Sequence, residues 1–246
     1  MLLVGGSQLE RISKRMEEQG GDVVEVWKMC RIRGEWTRDK LEVIKEELVL
    51  SDEVPDCIVI GGPSNSIIRN GGASQRGYAP EKRITVVEGE GRVKQRFHLR
   101  EPTKLTMLER GVLVRQIEDF VKFCEETYLT VRLLYVEMTP RHTDRCCSDR
   151  EHMGEDDVWV LDNQRREVDM EIRRRLGERL EFVSWYESSG LDKEPELAQI
   201  RKMGVVCEDG VHLTDVYCRN IAVNLCYRVA AAEVQLVREP NKKRRV

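Results

Sequence analysis

Short apolar runs that close on a glycine or a turn, each followed by a stretch with helical spacing, recur along this chain. They restrict its architecture more than any other feature. Leu2–Val4 runs into Gly5-Gly6, and Leu9, Ile12 and Met16 then return at the spacing of one helix face from Gln8 to about Glu18. Gly20-Gly21 ends that helix, and the β-branched run with Val23, Val24 and Val26 reads as a second strand over Asp22–Met29. Thr37 is placed to cap a helix carrying Leu41, Ile44 and Leu48, and Pro55 introduces a third strand over Asp56–Ile60. Strand and helix alternating in this way predict a parallel sheet covered on both faces by helices.

The rhythm breaks between Gly71 and Pro102. Arg83–Glu88 and Arg92–Leu99 are two alternating runs around Gly89-Glu90-Gly91, which predicts a β-hairpin inserted into the sheet domain. Helical spacing resumes with Leu108, Val112, Ile117, Val121 and Cys124, followed by a fourth strand over Thr130–Val136. A polar loop from Thr139 to about Asp156 leads to a charged helix over Val158–Leu176 and a fifth strand over Leu180–Val183. A closing helix covers 215–236. No internal repeat is present.

Composition narrows the class. With 40% hydrophobic and 35% charged residues the chain reads as folded and soluble, and 246 residues suffice for a substantial core. The net charge of −3 and a pI near 6.0 give the whole chain no polyanion-binding character. Its basic residues cluster locally, as in Arg165-Arg166 and Arg173-Arg174-Arg175, which read first as helix surface. No apolar run approaches the ~20 residues of a membrane span, and with no charged-then-apolar stretch before the first motif, secretion is not expected. Eight cysteines form no C-x-x-C pair, and Cys57, Cys124 and Cys226 sit within apolar runs. That pattern suits buried thiols in a reducing compartment rather than a disulfide framework. His142, Cys146, Cys147 and His152 form the one cluster with metal-ligand chemistry, but adjacent cysteines rarely both reach one tetrahedral ion, and the plainer reading is a loop. No metal or cofactor is expected.

Three short segments carry chemistry. Gly5-Gly6-Ser7 follows the first strand, Gly62-Pro63-Ser64-Asn65 follows the third, and Asp209-Gly210-Val211-His212 precedes the last helix. A serine can attack an acyl carbon, a histidine can take its proton, and an acid three residues before the histidine can orient the ring. Glycine and asparagine N–H groups can hold the oxyanion. The plain alternatives are a strand-to-helix turn in which Ser7 caps the helix, a Gly/Pro/Ser turn, and a surface histidine. The fingerprints G-x-G-x-x-G and G-x-S-x-G are both absent.

In this order the segments resemble the four blocks of the SGNH (GDSL-type) hydrolases: Gly-Asp-Ser, a glycine, Gly-x-Asn-Asp and Asp-x-x-His. Leu213 to Ala222 is similar to the family's continuation after the histidine. The resemblance covers nearly the whole chain and implies a three-layer α/β sandwich of about five parallel strands in the flavodoxin-like order 2-1-3-4-5, with the hairpin inserted at about 83–100. It implies a single domain over 1–237 and a serine esterase or acyl hydrolase acting on a small-molecule or lipid-like ester. Ser7 would be the nucleophile, His212 the base and Asp209 the orienting acid, with Gly34 and Asn65 in the oxyanion hole. Two positions depart from the family: Gly6 replaces the first-block aspartate and Ser66 the aspartate after the asparagine.

A rival reading follows from those departures, the Arg-rich helix and the basic tail: a catalytically silent SGNH-like module that binds a protein or nucleic-acid partner. Pro140-Arg141-His142 and Cys146-Cys147 resemble the SGNH-like domains of animal retroelements, and the abrupt first strand fits a segment of a longer reading frame. Residues 238–246 are expected to be a disordered tail, and Lys242-Lys243-Arg244-Arg245 has the form of a nuclear import signal. The corresponding expectation is an intracellular protein, cytoplasmic or nuclear.

Overall fold

The computed structural model describes residues 1–20, 25–26, 28–32, 36–64, 66–67, 83–88, 92–97, 105–141, 155–207 and 212–238. For 20, 83–88, 92–97, 155–157 and 232–238 it describes the backbone alone. Five strands form one parallel sheet: β1 (Leu2–Gly5), β2 (Lys28–Arg31), β3 (Cys57–Gly61), β6 (Arg132–Val136) and β7 (Glu181–Val183). Their order is β2-β1-β3-β6-β7, which is the expected 2-1-3-4-5 winding once the hairpin strands are left out of the count. Those two strands, β4 (Arg83–Glu88) and β5 (Arg92–Phe97), pair antiparallel with Arg83 opposite Phe97 and Glu88 opposite Arg92. They form a separate two-stranded sheet.

Successive residues of each central strand point to opposite faces, and each face is covered by its own helices. Leu2, Val4, Ile58, Ile60 and Tyr135 face a core completed by Leu41, Ile44 and Leu48 of α2 (Arg38–Val49) and by Val114, Ile117 and Val121 of α3 (Met107–Thr127). Val168, Ile172 and Leu176 of α4 (Glu155–Leu176) complete the same face. Leu3, Val59, Leu134 and Val136 face the other core, with Leu9, Ile12 and Met16 of α1 (Ser7–Gly20) and Ile221, Ala222 and Leu225 of α6 (Asp215–Arg238). Each helix thus offers one apolar stripe to the sheet. The result is the three-layer sandwich.

Local sequence sets the helix starts. Thr37 adopts an extended backbone and its hydroxyl accepts the Lys40 N–H at 3.4 Å, as its position suggested. Thr106 and Glu109 form a reciprocal capping box at the start of α3.

Some boundaries differ from expectation. The second strand, expected over Asp22–Met29, is Lys28–Arg31 among the described residues. Its partner is the cause: β1 has only four residues, and the register Leu2 with Lys28 through Gly5 with Arg31 uses all four. Two elements were not foreseen: a 3₁₀ turn over Glu187–Ser189 and the short helix α5 (Leu197–Lys202). Both lie where hydrophobic spacing is too short-ranged to announce a helix. Among the described residues no helix is long and apolar enough to cross a membrane.

The thiols follow their surroundings. Cys57 and Cys124 are buried and Cys226 is half-buried. Burial pushes the Cys57 and Cys124 thiols up to about 12. No group of three or more metal-ligating side chains occurs among the described residues, and the His142 to His152 cluster lies outside them.

Candidate active site

In an open parallel sheet the crevice forms at the carboxyl ends of the strands, where the winding direction reverses. Here that point lies between β1 and β3. Gly5 and Gly61 face one another across it: a Cβ on Gly5 would come 3.0 Å from Leu9 Cδ2 and 3.3 Å from the Gly61 backbone. Absent side chains let α1 settle onto the strand ends. Gly62 is more restricted still, because a Cβ there would lie 2.5 Å from Met138 Cγ and 2.9 Å from Met138 N. The Gly62 N–H donates to the Val136 carbonyl at 2.8 Å, which carries the β3–β6 pairing one residue past the strand.

Ser7 is the first residue of α1. The Gly6 carbonyl accepts the Glu10 N–H at 3.2 Å, so Gly6 takes the capping position and the Ser7 side chain is not used as a cap. It points instead across the sheet edge: Ser7 Oγ lies 2.8 Å from His212 Nε2. The two residues are 205 apart in sequence.

His212 stands just before α6 in a segment that is itself held. Val206 and Leu213 form an antiparallel bridge, and the His212 carbonyl accepts the Cys207 N–H at 2.7 Å. Thr214 N–H donates to the Val205 carbonyl at 2.9 Å. The bridge had no signal in the sequence. Asp209 lies outside the described residues, as do Gly34 and Asn65. Their neighbours are described. The Trp36 N–H, two residues after Gly34, donates to Ser66 Oγ at 2.7 Å, one residue after Asn65. Ser66 therefore ties together the two loops that carry the oxyanion candidates.

We expect Ser66→Ala to lower the unfolding free energy by about 1–2 kcal/mol, because it strands the N–H of a residue only 5% exposed. Urea denaturation measures this, and Ser66→Thr, which keeps the hydroxyl acceptor, should retain most of the parent stability. Equal midpoints for the parent and Ser66→Ala would show that the tie contributes nothing.

The third wall is the segment after β6, from Glu137 to Arg141, held from below by α4. Asp169 Oδ1 accepts the Tyr135 hydroxyl at 2.8 Å and Oδ2 accepts the Met138 N–H at 3.0 Å. Arg165 Nη1 donates to the Met138 carbonyl at 3.1 Å. Burial, then nearby Glu137, pushes the Asp169 carboxyl well above its usual range, while Arg165, the Tyr135 hydroxyl and the Met138 N–H pull against that rise. Arg165 also donates to Asp162 and Glu194. Burial acts to lower its pKa, but the surrounding carboxylates more than offset this and hold it above the ordinary value. At the far end of the segment, Arg141 Nη2 donates to the Ser64 carbonyl at 3.0 Å, joining the third wall to the second.

These walls enclose a narrow cleft of about 30 Å³, lined by Ser7, His212, Trp36, Ser64, Thr139 and Arg141 among others. A wider groove of about 1040 Å³ lies between α2 and α3, but it contains none of the site residues. The geometry at the cleft suits acyl transfer. A serine hydroxyl touches an imidazole nitrogen, and the first turn of a helix presents backbone N–H groups with no helical partner beside it.

No protein-family model matches this chain, and no curated protein matches it in sequence. Solved structures do. A Lactobacillus plantarum protein shares 13% identity at a TM-score of 0.54, over 94% of this chain and 95% of its own. A Streptococcus pneumonia protein, provisionally described as a platelet activating factor, also shares 13% at 0.54, over 93% of this chain and 82% of its own. A carbohydrate esterase family 2 enzyme from Corynascus thermopiles (Myceliophthora fergusii), which carries a carbohydrate-binding domain, shares 11% at 0.52, over 95% and 66%. At such identities the likeness speaks for the fold. The chain shares its α/β fold with these structures.

Proposed function

We propose that this chain is a serine acyl hydrolase acting on carboxylic esters of small molecules or lipid-like alcohols. The observation that carries the reading is the 2.8 Å contact between Ser7 Oγ and His212 Nε2 at the switch point of the sheet. In the proposed reaction the Ser7 hydroxyl attacks the ester carbon and passes its proton to His212 Nε2. Asp209 accepts the Nδ1–H and keeps the lone pair on Nε2. The developing oxyanion is held by the Ser7 and Gly34 N–H groups and the Asn65 side chain. His212 then protonates the departing alcohol. A water molecule, deprotonated by the same nitrogen, attacks the acyl-serine and releases the acid. The residues need no metal or cofactor for these steps.

Two measurements test this. Purified protein should release p-nitrophenol from p-nitrophenyl acetate, and a fluorophosphonate should add once, to the peptide containing Ser7. Ser7→Ala should lose both. Turnover or labelling that survives in Ser7→Ala would assign the chemistry to another residue.

The second reading, a silent module that binds a protein or nucleic acid, is favoured by Gly6 and Ser66 at the two family aspartate positions. The arginines of α4 lend it little, because they are engaged with carboxylates. Arg173 donates to Glu137 at 2.6 Å, and Arg174 and Arg175 both meet Glu171 at 2.7 Å. Hydrogen bonds from Arg174 and Arg175 draw the Glu171 carboxyl down to about 2. What remains for that reading is the basic tail, outside the described residues, as are 142–150, which hold most of the segment resembling retroelement domains. RNA binding that weakens steeply with salt, together with absent turnover, would favour it.

A further inference from the structure

Gln8 follows the candidate nucleophile and makes two contacts to the segment that carries the candidate base. Its Oε1 accepts the Leu213 N–H at 3.0 Å, and its Nε2 donates to Cys218 Sγ at 3.4 Å. Ser7 meets His212 and Gln8 meets Leu213, so two consecutive residues of α1 engage two consecutive residues before α6. The bridge to Val206 and the Cys207 and Thr214 hydrogen bonds hold the histidine segment to its own neighbours. The Gln8 contact is the one that ties its backbone to the helix carrying Ser7.

The far side of Leu213 is held as well. Its carbonyl accepts from Cys207 Sγ at 3.3 Å and from Cys218 Sγ at 3.6 Å. The Leu213 side chain is buried in the core that also holds Leu9, Ile12 and Leu225. One helical face of α1 continues the docking: Arg11 Nη1 donates to Cys207 Sγ at 3.5 Å, and Arg15 pairs with Asp215. The Arg15 and Asp215 side chains are 32% and 48% exposed, and solvent weakens such a pair. Gln8 is the half-buried member of the face that reaches the backbone beside His212.

We infer that Gln8 is a positioning residue that sets the separation and orientation of His212 relative to Ser7. The kinetic part of this inference rests on the acyl-hydrolase reading. The geometric part does not.

The experiment compares the full chain with Gln8→Leu and Gln8→Glu. Leucine preserves bulk and helix propensity but removes both hydrogen bonds. Glutamate keeps the acceptor for the Leu213 N–H and gives up only the bond to Cys218 Sγ. Displacing a reacting group by about 1 Å can cost roughly a hundredfold, so kcat of Gln8→Leu should fall by about that factor while KM stays within about threefold. Gln8→Glu should recover most of the loss. Crystal structures supply a readout independent of turnover: Ser7 Oγ and His212 Nε2 should part beyond hydrogen-bond reach, about 3.5 Å, in Gln8→Leu and stay within it in Gln8→Glu.

A Gln8→Leu structure that keeps the 2.8 Å contact overturns the inference, as does a Gln8→Glu structure in which the contact opens. If Gln8→Leu does not fold, the Gln8→Glu structure decides alone. A parent with no Ser7-dependent turnover sinks the hydrolase reading instead, and the two distances still decide the role of Gln8.

Discussion

Replacing Ser7 or His212 by alanine is expected to remove nearly all ester hydrolysis, each by a factor on the order of 10⁴–10⁶ in kcat. The double replacement should be little worse than either single one. A hydroxyl without its base is a weak nucleophile, and a base without its hydroxyl has nothing to activate, so the pair fails as a unit. Asp209→Asn should lose on the order of 10⁴, because the imidazole then settles into the tautomer whose Nε2 already carries a proton. Steady-state hydrolysis of p-nitrophenyl acetate by the four variants provides the test. Losses that multiply across the single variants would place the measured activity at another site.

Arg165→Met is expected to have the largest effect on stability, a loss of about 3–5 kcal/mol, even though Arg165 touches neither Ser7 nor His212. The side chains of Arg165 and Asp162 are 4% and 5% exposed, so removing the guanidinium leaves the buried Asp162 carboxylate with the half-exposed Arg166 in place of a buried partner. It also leaves the Met138 carbonyl without its donor. In a chain of this length such a loss lowers Tm by roughly 10 °C. Arg174→Ala on the same helix is the control. Arg174 is 68% exposed beside Glu171, and its removal should leave the unfolding midpoint essentially unchanged. Equal effects of the two variants, read by urea denaturation, would mean that burial does not set the worth of these ion pairs. Because Arg165 and Asp169 hold the two sides of the Met138 peptide, Arg165→Met should also loosen the wall from Glu137 to Arg141.

The architecture was legible because it rests on local periodicity. Leu9, Ile12 and Met16 mark a helix face wherever that helix docks, and Cys57 to Ile60 is too apolar for anything but a covered strand. The hairpin was legible for a similar reason, since two alternating runs around Gly89-Glu90-Gly91 can close on one another without reference to the rest of the chain. The second strand was less so. Its limits are set by the length of β1, a fact about its neighbour and not about residues 22–31.

Candidate chemistry was legible as residue types in an order: a serine after the first strand, a glycine-rich turn after the third, an acid and a histidine before the last helix. Whether Ser7 serves as a helix cap or faces a histidine could not be read there, because both uses begin from the same Gly-Gly-Ser turn. Tertiary structure decided it, by giving the capping position to Gly6 and bringing α6 alongside α1. Nor did the charge pattern reveal which arginines matter. Arg165 and Arg174 both sit in arginine clusters of the same helix, and it is the docking of one face of α4 that buries the first and leaves the second exposed. Ser66 and Gln8 were equally silent, since each works through a backbone N–H tens or hundreds of residues away. Periodicity is a property of neighbouring residues and survives in the sequence, whereas a contact such as that between Gln8 and Leu213 exists only once the sheet has brought distant segments to one edge.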